Sequence, residues 1–306
     1  MDMFAAVKAF VAVVNEGAFS RAAKQLGLAT SSVTRQVDSL EAHLRTILIN
    51  RSTRRLTLTD AGTDYYDSAL QIMQDLEEAN ASAALVGNRV HGSLRVNAPV
   101  AFGQLYIAPQ LPKFLERYPN VEIDLTLTDQ IVNLIDDRVD VAVRLGQVEM
   151  QSLITRRLGS NQRVACATKE YLSKRGLPLI PDELTSHNCL TFNYGKAHRF
   201  WTFTSQDEAR RVRVQGNLRV NNSIVLRHSV LKGVGVGLLP VWLIADDLRT
   251  GALTQILSQW EVVPNSPGDI NAVYLPNRRG SPKVRAFIDF LAEVLNSALP
   301  VAPAPR

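Results

Sequence analysis

Positive charge is missing from one stretch of this 306-residue chain: residues 60–88 hold six acids and no lysine or arginine. Residues 1–59 stand at +4 and the remainder at +7, so a basic head is followed by an acidic connector. That order fits a module that meets phosphates while its connector is held away from them. Cysteine is scarce. Cys166 and Cys189 suit a reducing cytoplasm and read as small buried hydrophobes, with redox sensing as the alternative. No run of about 18 apolar residues occurs, so no membrane span is expected. The opening MDMFAAVKAFVAVV has an acid where a secretory leader needs positive charge, which predicts a cytoplasmic protein. His43, His91, His187, His198 and His228 lack ligand spacing with cysteines or acids, so no metal is expected. No GxSxG elbow, phosphate loop, HExxH or acid pair is present, so neither enzyme activity nor a cofactor is expected. GVGVGLLP at 233–240 follows a helix and precedes a strand, the reverse of the dinucleotide order.

What is present begins between Gly17 and Gly62. Phe19, Ala22, Ala23 and Leu26 recur three and four residues apart and mark a buried helical stripe. Gly27 breaks that helix, and Leu28 carries the chain round a corner. A second helix is predicted from Thr30, with Thr30 or Ser31 expected to satisfy its first amides. Its buried face is Val33, Val37, Leu40 and Leu44; its outer face is Thr30, Ser31, Thr34, Arg35 and Asp38. Short hydroxyls around one arginine suit a helix laid in the major groove, with Arg35 reaching a guanine edge. The plain alternative is a three-helix bundle with a solvated face. The next segment, RSTRRLTLT, alternates arginines with hydroxyls, as a phosphate-contacting hairpin would.

This stretch resembles the winged helix-turn-helix of the LysR-type transcriptional regulators. The resemblance is carried by Phe10, Val13, Gly17, Phe19, Ser20, Ala22, Ala23, Leu26, Val33, Arg35, Leu40, Glu41, Leu44, Leu48, Arg51, Leu58, Thr59 and Gly62. Three residues depart from the family pattern: Arg45 for a helix-ending glycine, Ile49 for phenylalanine and Ala29 for serine. The DNA-facing set is expected to be Ser20, Thr30, Ser31, Ser32, Thr34, Arg35, Gln36, Arg51, Thr53 and Arg54.

From Asp60 one helix can run to about Val86, with Tyr65, Ala69, Ile72, Leu76, Ala79, Ala83 and Val86 in a four-three spacing. Periodicity alone leaves the partner open, within the chain or a second copy. The resemblance implies dimerisation through Tyr65, Ala69, Ile72, Leu76, Ala79 and Ala83. Asn88 to Gly92 then reads as a hinge.

Beyond Ser93 strand and helix patterns alternate. Leu94, Val96 and Ala98 form a strand; Leu105 to Tyr118 a helix with Leu111, Phe114 and Leu115 inside; Val121 to Leu127 a strand; Ile131 to Asp137 a short helix; and Val139 to Val143 a strand. This predicts a parallel sheet covered by helices. A second such unit runs from about Val164 to Gln259, with Val212, Val214, Leu218 and Val220 as strand residues. Ile270 to Leu275 and the helix Pro282 to Leu299 return to the first. The tail VAPAPR is too proline-rich to pack. The pair of units resembles the periplasmic-binding-protein-like effector domain of the same family.

The expected fold is therefore mixed: an all-α winged helix-turn-helix over 1–59, a linker helix over 60–88, and an α/β effector domain over 92–302. Its subdomains are 92–162 with 267–302, and 163–266. Ligands of open α/β sheets lie beyond strand carboxyl ends. That nominates Pro99, Val100, Ala101 and Phe102; Thr128, Asp129 and Gln130; and Asn221, Asn222 and Ser223. Helix amides at Asn222 and Ser223 favour an organic acid, with Ala101 and Phe102 as an apolar wall. The implied partners are a double-stranded DNA operator with an interrupted inverted repeat, a small-molecule effector and further copies of the chain as a dimer of dimers. The reading also admits RNA polymerase. The rival class is a solute receptor or enzyme with an incidental helical head.

Overall fold

The computed structural model describes residues 2–51, 56–83, 90–146, 152–193, 200–205, 208–263 and 269–300. It divides into two compact units, Met1–Gly87 and Asn88–Arg306. Thr53, Arg54, the proposed hinge at 88–89 and the tail 301–306 lie outside the described residues.

Unit one begins with α1 (Met3–Glu16), capped where the Asp2 side chain accepts from Ala5 N. Next come α2 (Phe19–Leu26) and α3 (Thr30–Leu44), joined by a turn through Gly27, Leu28 and Ala29. β1 (Ile49–Arg51) and β2 (Leu56–Leu58) pair antiparallel as the wing. α4 (Asp60–Ala83) ends the unit. The stripes expected of α2 and α3 meet: Phe10, Val13, Ala22, Ala23, Val33, Val37 and Leu40 form one core. The Glu41 carboxylate accepts from Leu48 N (2.7 Å) and Ile49 N (3.0 Å), fixing the wing to α3. Gly62 lets α4 approach that same strand, since a Cβ there would lie 2.0 Å from the Leu48 carbonyl oxygen. Arg45 ends α3 at φ 52°, in the left-handed region where glycine is favoured. Holding an arginine there costs roughly 1–2 kcal/mol.

The capping expected of Thr30 or Ser31 is absent. Ala29 holds the cap position without a side-chain bond, and α3 already includes Thr30. The α4 seam also divides. Tyr65 and Ala69 pack inside unit one, with Tyr65 5.7 Å from the Phe10 ring. Tyr66 bonds Asn15 with its hydroxyl. Ile72 and Leu76 remain 60% and 38% exposed. The first two seam positions are thus consumed by the chain's own core, because α1 reaches them first. The Ala79 and Ala83 side chains lie outside the described residues.

Unit two holds two five-stranded sheets. The first comprises β3 (Gly92–Ala98), β4 (Val121–Leu127), β5 (Val141–Leu145), β6 (Ile154–Ser160) and β15 (Asp269–Tyr274), ordered β4-β3-β5-β15-β6. The second comprises β7 (Arg163–Ala167), β8 (Cys189–Phe192), β11 (Arg219–Val220), β12 (Val236–Pro240) and β13 (Thr254–Gln255), ordered β11-β8-β12-β7-β13. A smaller sheet holds β9 (Phe200–Thr204), β10 (Ala209–Arg213) and β14 (Glu261–Val263). The helices are α5 (Val100–Phe102), α6 (Leu111–Arg117), α7 (Lys169–Arg175), α8 (Ser223–Leu231), α9 (Val241–Thr250) and α10 (Pro282–Ala298). β15 and α10 return to the first sheet as expected. β3, β4 and β5 are parallel, but β15 runs antiparallel to β5 and β6, so the sheet is mixed and not all parallel.

Four local expectations fail for identifiable reasons. Residues 131–137 form turns, not a helix, because side chains capture the backbone: Asp137 accepts from Asn133 N and Asn133 from Ile135 N. The helix expected from Leu105 starts at Val100 and passes through a π segment (Gly103–Ile107) and a 3-10 turn (Ala108–Gln110) before α6. Pro109 lacks the N–H that regular α pairing needs there. Leu115 is 39% exposed, not inside. Val212 and Val220 belong to different sheets, and Val214 and Leu218 to neither.

Candidate functional site

Two places are built to meet something outside the chain. The first is α3. Thr30, Ser31 and Arg35 are exposed on it, and Ser20 on α2 is exposed too. Thr34 turns its hydroxyl back to the Thr30 carbonyl (2.9 Å), and Ser32 is half-buried. Gln36 is half-buried with its Oε1 shut inside and unpaired, so this oxygen is not offered outward. The amides of Thr30 and Ser31 have no partner among the described residues, because Ala29 supplies no cap. An open helix start is a favourable place for an anion, and Arg35 is exposed on the same helix. β1 of the wing ends at Arg51, whose side chain lies outside the described residues.

The second place is the crevice in unit two. The ends of β3, β4 and β11 converge there, and one carboxylate joins them. Asp129 Oδ1 accepts from Val100 N (3.1 Å), and Asp129 Oδ2 accepts from Asn222 Nδ2 (3.0 Å). Asn222 Oδ1 in turn accepts from Ile224 N and Val225 N and caps α8. Thr128 accepts from Gln130 N and so shapes the loop that presents Asp129. Pro99 precedes α5, while Gln130 and Asn221 are exposed around this junction. Ser223 opens α8, and its hydroxyl and amide have no partner among the described residues.

Ala101 and Phe102 do not line an apolar wall. Both are buried in the core, where Phe102 stacks on Tyr106 (5.2 Å) and meets Trp242 edge-on (5.4 Å). Val100 is the member of that segment whose backbone reaches the crevice. Sequence reasoning missed the lock beneath. The Tyr106 hydroxyl donates to the Trp242 carbonyl (2.7 Å), and Trp242 Nε1 donates to Asn161 Oδ1 (2.8 Å). Burial pushes the Tyr106 phenol up, with Asp246 adding to it. The signal available was Tyr106, Trp242 and Asn161 themselves, polar-tipped aromatics and an amide that seek partners when buried. The arginine of α8 is fixed as well: Arg227 grips Asp247 of α9 at 2.6 and 2.7 Å.

The cysteines are buried and free. Burial pushes the Cys189 thiol up to about 12, and Cys166 higher still, where the Asp247 charge adds to desolvation. Thiols held so far from the thiolate are poor redox sensors. Among the described residues no group of histidines, cysteines or acids could hold a metal, and no helix is long and apolar enough to cross a membrane.

A winged helix-turn-helix joined to a two-sheet α/β module with a bridged crevice defines a DNA-binding regulator with an effector domain. Comparison with known proteins makes the class specific. Residues 4–63 match the bacterial regulatory helix-turn-helix of the lysR family, and residues 87–296 match the LysR substrate binding domain. The chain is 32% identical over 286 residues to a probable HTH-type transcriptional regulator, LtrA, of Klebsiella pneumoniae, covering 94% of this chain and 93% of that one. It is 33% identical over 290 residues to the HTH-type regulator CrgA of Neisseria meningitidis serogroup C, covering 95% and 96%. The solved structure of the Neisseria meningitidis LysR-type regulator CrgA superposes with a TM-score of 0.61 at 32% identity, over 95% of this chain and 98% of that one. Full-length AphB of Vibrio cholerae gives 0.59 at 28% identity, over 94% and 98%. This chain belongs to the LysR family of transcriptional regulators. These relatives are named as regulators, which removes the enzyme and solute-receptor rivals.

Proposed function

We propose that this regulator acts in the cytoplasm as a homo-oligomer, a dimer of dimers, on an operator with an interrupted inverted repeat. Two copies join through the exposed Ile72 and Leu76 of α4 and set two α3 helices in successive major grooves. Arg35 reads a guanine, and the open amides of Thr30 and Ser31 meet a backbone phosphate. Arg51 and Arg54 contact phosphate from the wing. The observation that carries this reading is the exposed Thr30–Ser31–Arg35 face at an uncapped helix start.

The effector is a small organic acid. Asp129 is a carboxylate that the chain itself has placed on the Val100 amide and the Asn222 side chain. A group so placed marks a carboxylate position, and an incoming acid would take it while Ser223 adds its free amide and hydroxyl. Gel shifts with DNA upstream of the chain's own gene test the first half. Arg35→Ala should lower operator affinity by about 1–3 kcal/mol and narrow the gap to random DNA. Wild-type affinity for both DNAs in the folded variant would refute the docking. A thermal-shift screen tests the second half: acids should stabilise and their amides should not, and Ser223→Ala should weaken the response. Equal response to acids and amides would refute the carboxylate position.

A further inference from the structure

Trp242 is bonded to parts of unit two that belong to different sheets. β6 of the first sheet passes into β7 of the second through two residues, Asn161 and Gln162. The first turn of α9 holds both. Trp242 Nε1 donates to Asn161 Oδ1 (2.8 Å), and Val241 N donates to the Gln162 carbonyl (2.8 Å). From the segment between β3 and β4, the Tyr106 hydroxyl donates to the Trp242 carbonyl (2.7 Å). Phe102 meets the indole edge-on at 5.4 Å and Tyr106 does so at 6.0 Å, so three rings close on one another. Asn161 and Trp242 are each 4% exposed, which shuts the bond between them away from solvent. Tyr106 itself lies in the π segment, a local widening of the helix that is frequent at functional sites.

The same helical turn reaches the crevice. Val100 N donates to Asp129 Oδ1, and Asp129 Oδ2 accepts from Asn222 on the side of the second sheet. Val100 and Phe102 are two residues apart in α5, so the crevice bonds and the ring cluster hold the two ends of one short element. Without the indole, Asn161 Oδ1 would be a buried acceptor lacking this donor, which costs more than the bond itself contributes. The crossover would then be held to α9 by the Gln162 carbonyl, a single bond about which one sheet can turn against the other.

We propose that Trp242 is the positioning residue of the crevice. By pinning the 161–162 crossover and the α5 turn together, it fixes how far the two sheets stand apart. That spacing decides whether Asn222 reaches Asp129, and it is the spacing that any effector meets. The role needs only the crevice bonds, not an organic acid as effector.

Double electron–electron resonance on the full-length chain tests this without an effector. Gln130 and Asn221, exposed on the two sides of the crevice, are replaced by Cys and spin-labelled, and the labelled protein is diluted into unlabelled. The native Cys166 and Cys189 are buried and stay unlabelled. Trp242→Phe should lengthen and broaden the distance between the labels. Combining it with Asn161→Leu removes donor and acceptor together, so the denaturation midpoint should return toward that of the wild type. The label distance should nevertheless stay long in that double variant, because the pin is still missing. A wild-type distance in Trp242→Phe or in the double variant would overturn the proposal and leave Trp242 a packing residue. The double variant also decides the matter if Trp242→Phe alone does not fold. No acid has to bind for either result, so failure here leaves the organic-acid reading of the crevice standing.

Discussion

The two ends of this protein treat helix starts in opposite ways. In unit one α3 begins at Ala29 with no side chain over its amides. In unit two α8 is closed by Asn222, and the Val100 amide at the start of α5 is closed by Asp129. An uncapped start forgoes about 1 kcal/mol of helix stability and keeps its donors for an external anion. A start filled from within is stable alone and must be vacated before it can bind. One start leaves its donors open to an external anion, while the other is filled by the chain's own groups.

The largest expected effect would come from removing the second copy, and with it the second α3, from the operator. Ile72→Asp puts a charge on the exposed part of α4, leaving Tyr65 and Ala69 packed in their own core. Sedimentation should show smaller assemblies, and operator affinity should fall by roughly a hundredfold or more, since one head reads a half-site. Unchanged assembly would place the dimer contact elsewhere.

Asp129→Ala vacates the filled start. Two hydrogen bonds across the crevice are lost, at a cost of about 1–3 kcal/mol of stability in unit two. Acids that stabilise the wild type should then bind more tightly, by about tenfold, because nothing has to leave. Weaker binding would instead make Asp129 a direct partner of the effector.

Ala29→Asp does the converse and fills the open start. Chemical denaturation should show a gain of about 1 kcal/mol. Gel shifts should show weaker binding to every DNA sequence, as the new carboxylate meets phosphate. A stabilised variant with full DNA affinity would show that those amides face no phosphate.

The smallest effect separates the crevice from the fold that carries it. His187 is 6% exposed, with Nδ1 3.3 Å from the Tyr171 hydroxyl. Burial lowers its pKa from 6.5; Arg175 acts the same way, and Glu183 opposes both. The unfolded chain therefore takes up the proton first as pH drops. The stability due to neutral His187 is complete above pH 6.5 and is lost progressively below it, by at most about 1.4 kcal/mol per pH unit. His187→Asn should flatten that part of the denaturation profile, and an unchanged slope would mean that the ring takes up its proton over the same pH range folded and unfolded.

Local chemistry was enough to read the helix-turn-helix of unit one, apart from the cap of α3. The spacing of Val33, Val37 and Leu40 puts Arg35 outward whatever else the chain does, and Gly27 ends α2 whatever follows. The return of β15 and α10 to the first sheet was equally legible, from buried runs that needed covering. Tertiary structure decided the rest, because one local pattern can serve several partners. A four-three stripe looks the same whether α1 or a second chain covers it, and only packing assigned Tyr65 and Ala69 to Phe10 and left Ile72 bare. Ala101 and Phe102 follow a strand end as pocket residues would, yet the turn of the helix sends them to Trp242. Asp129 and Asn222 lie 93 residues apart, so no local rule could pair them; the folding of two sheets onto one core did.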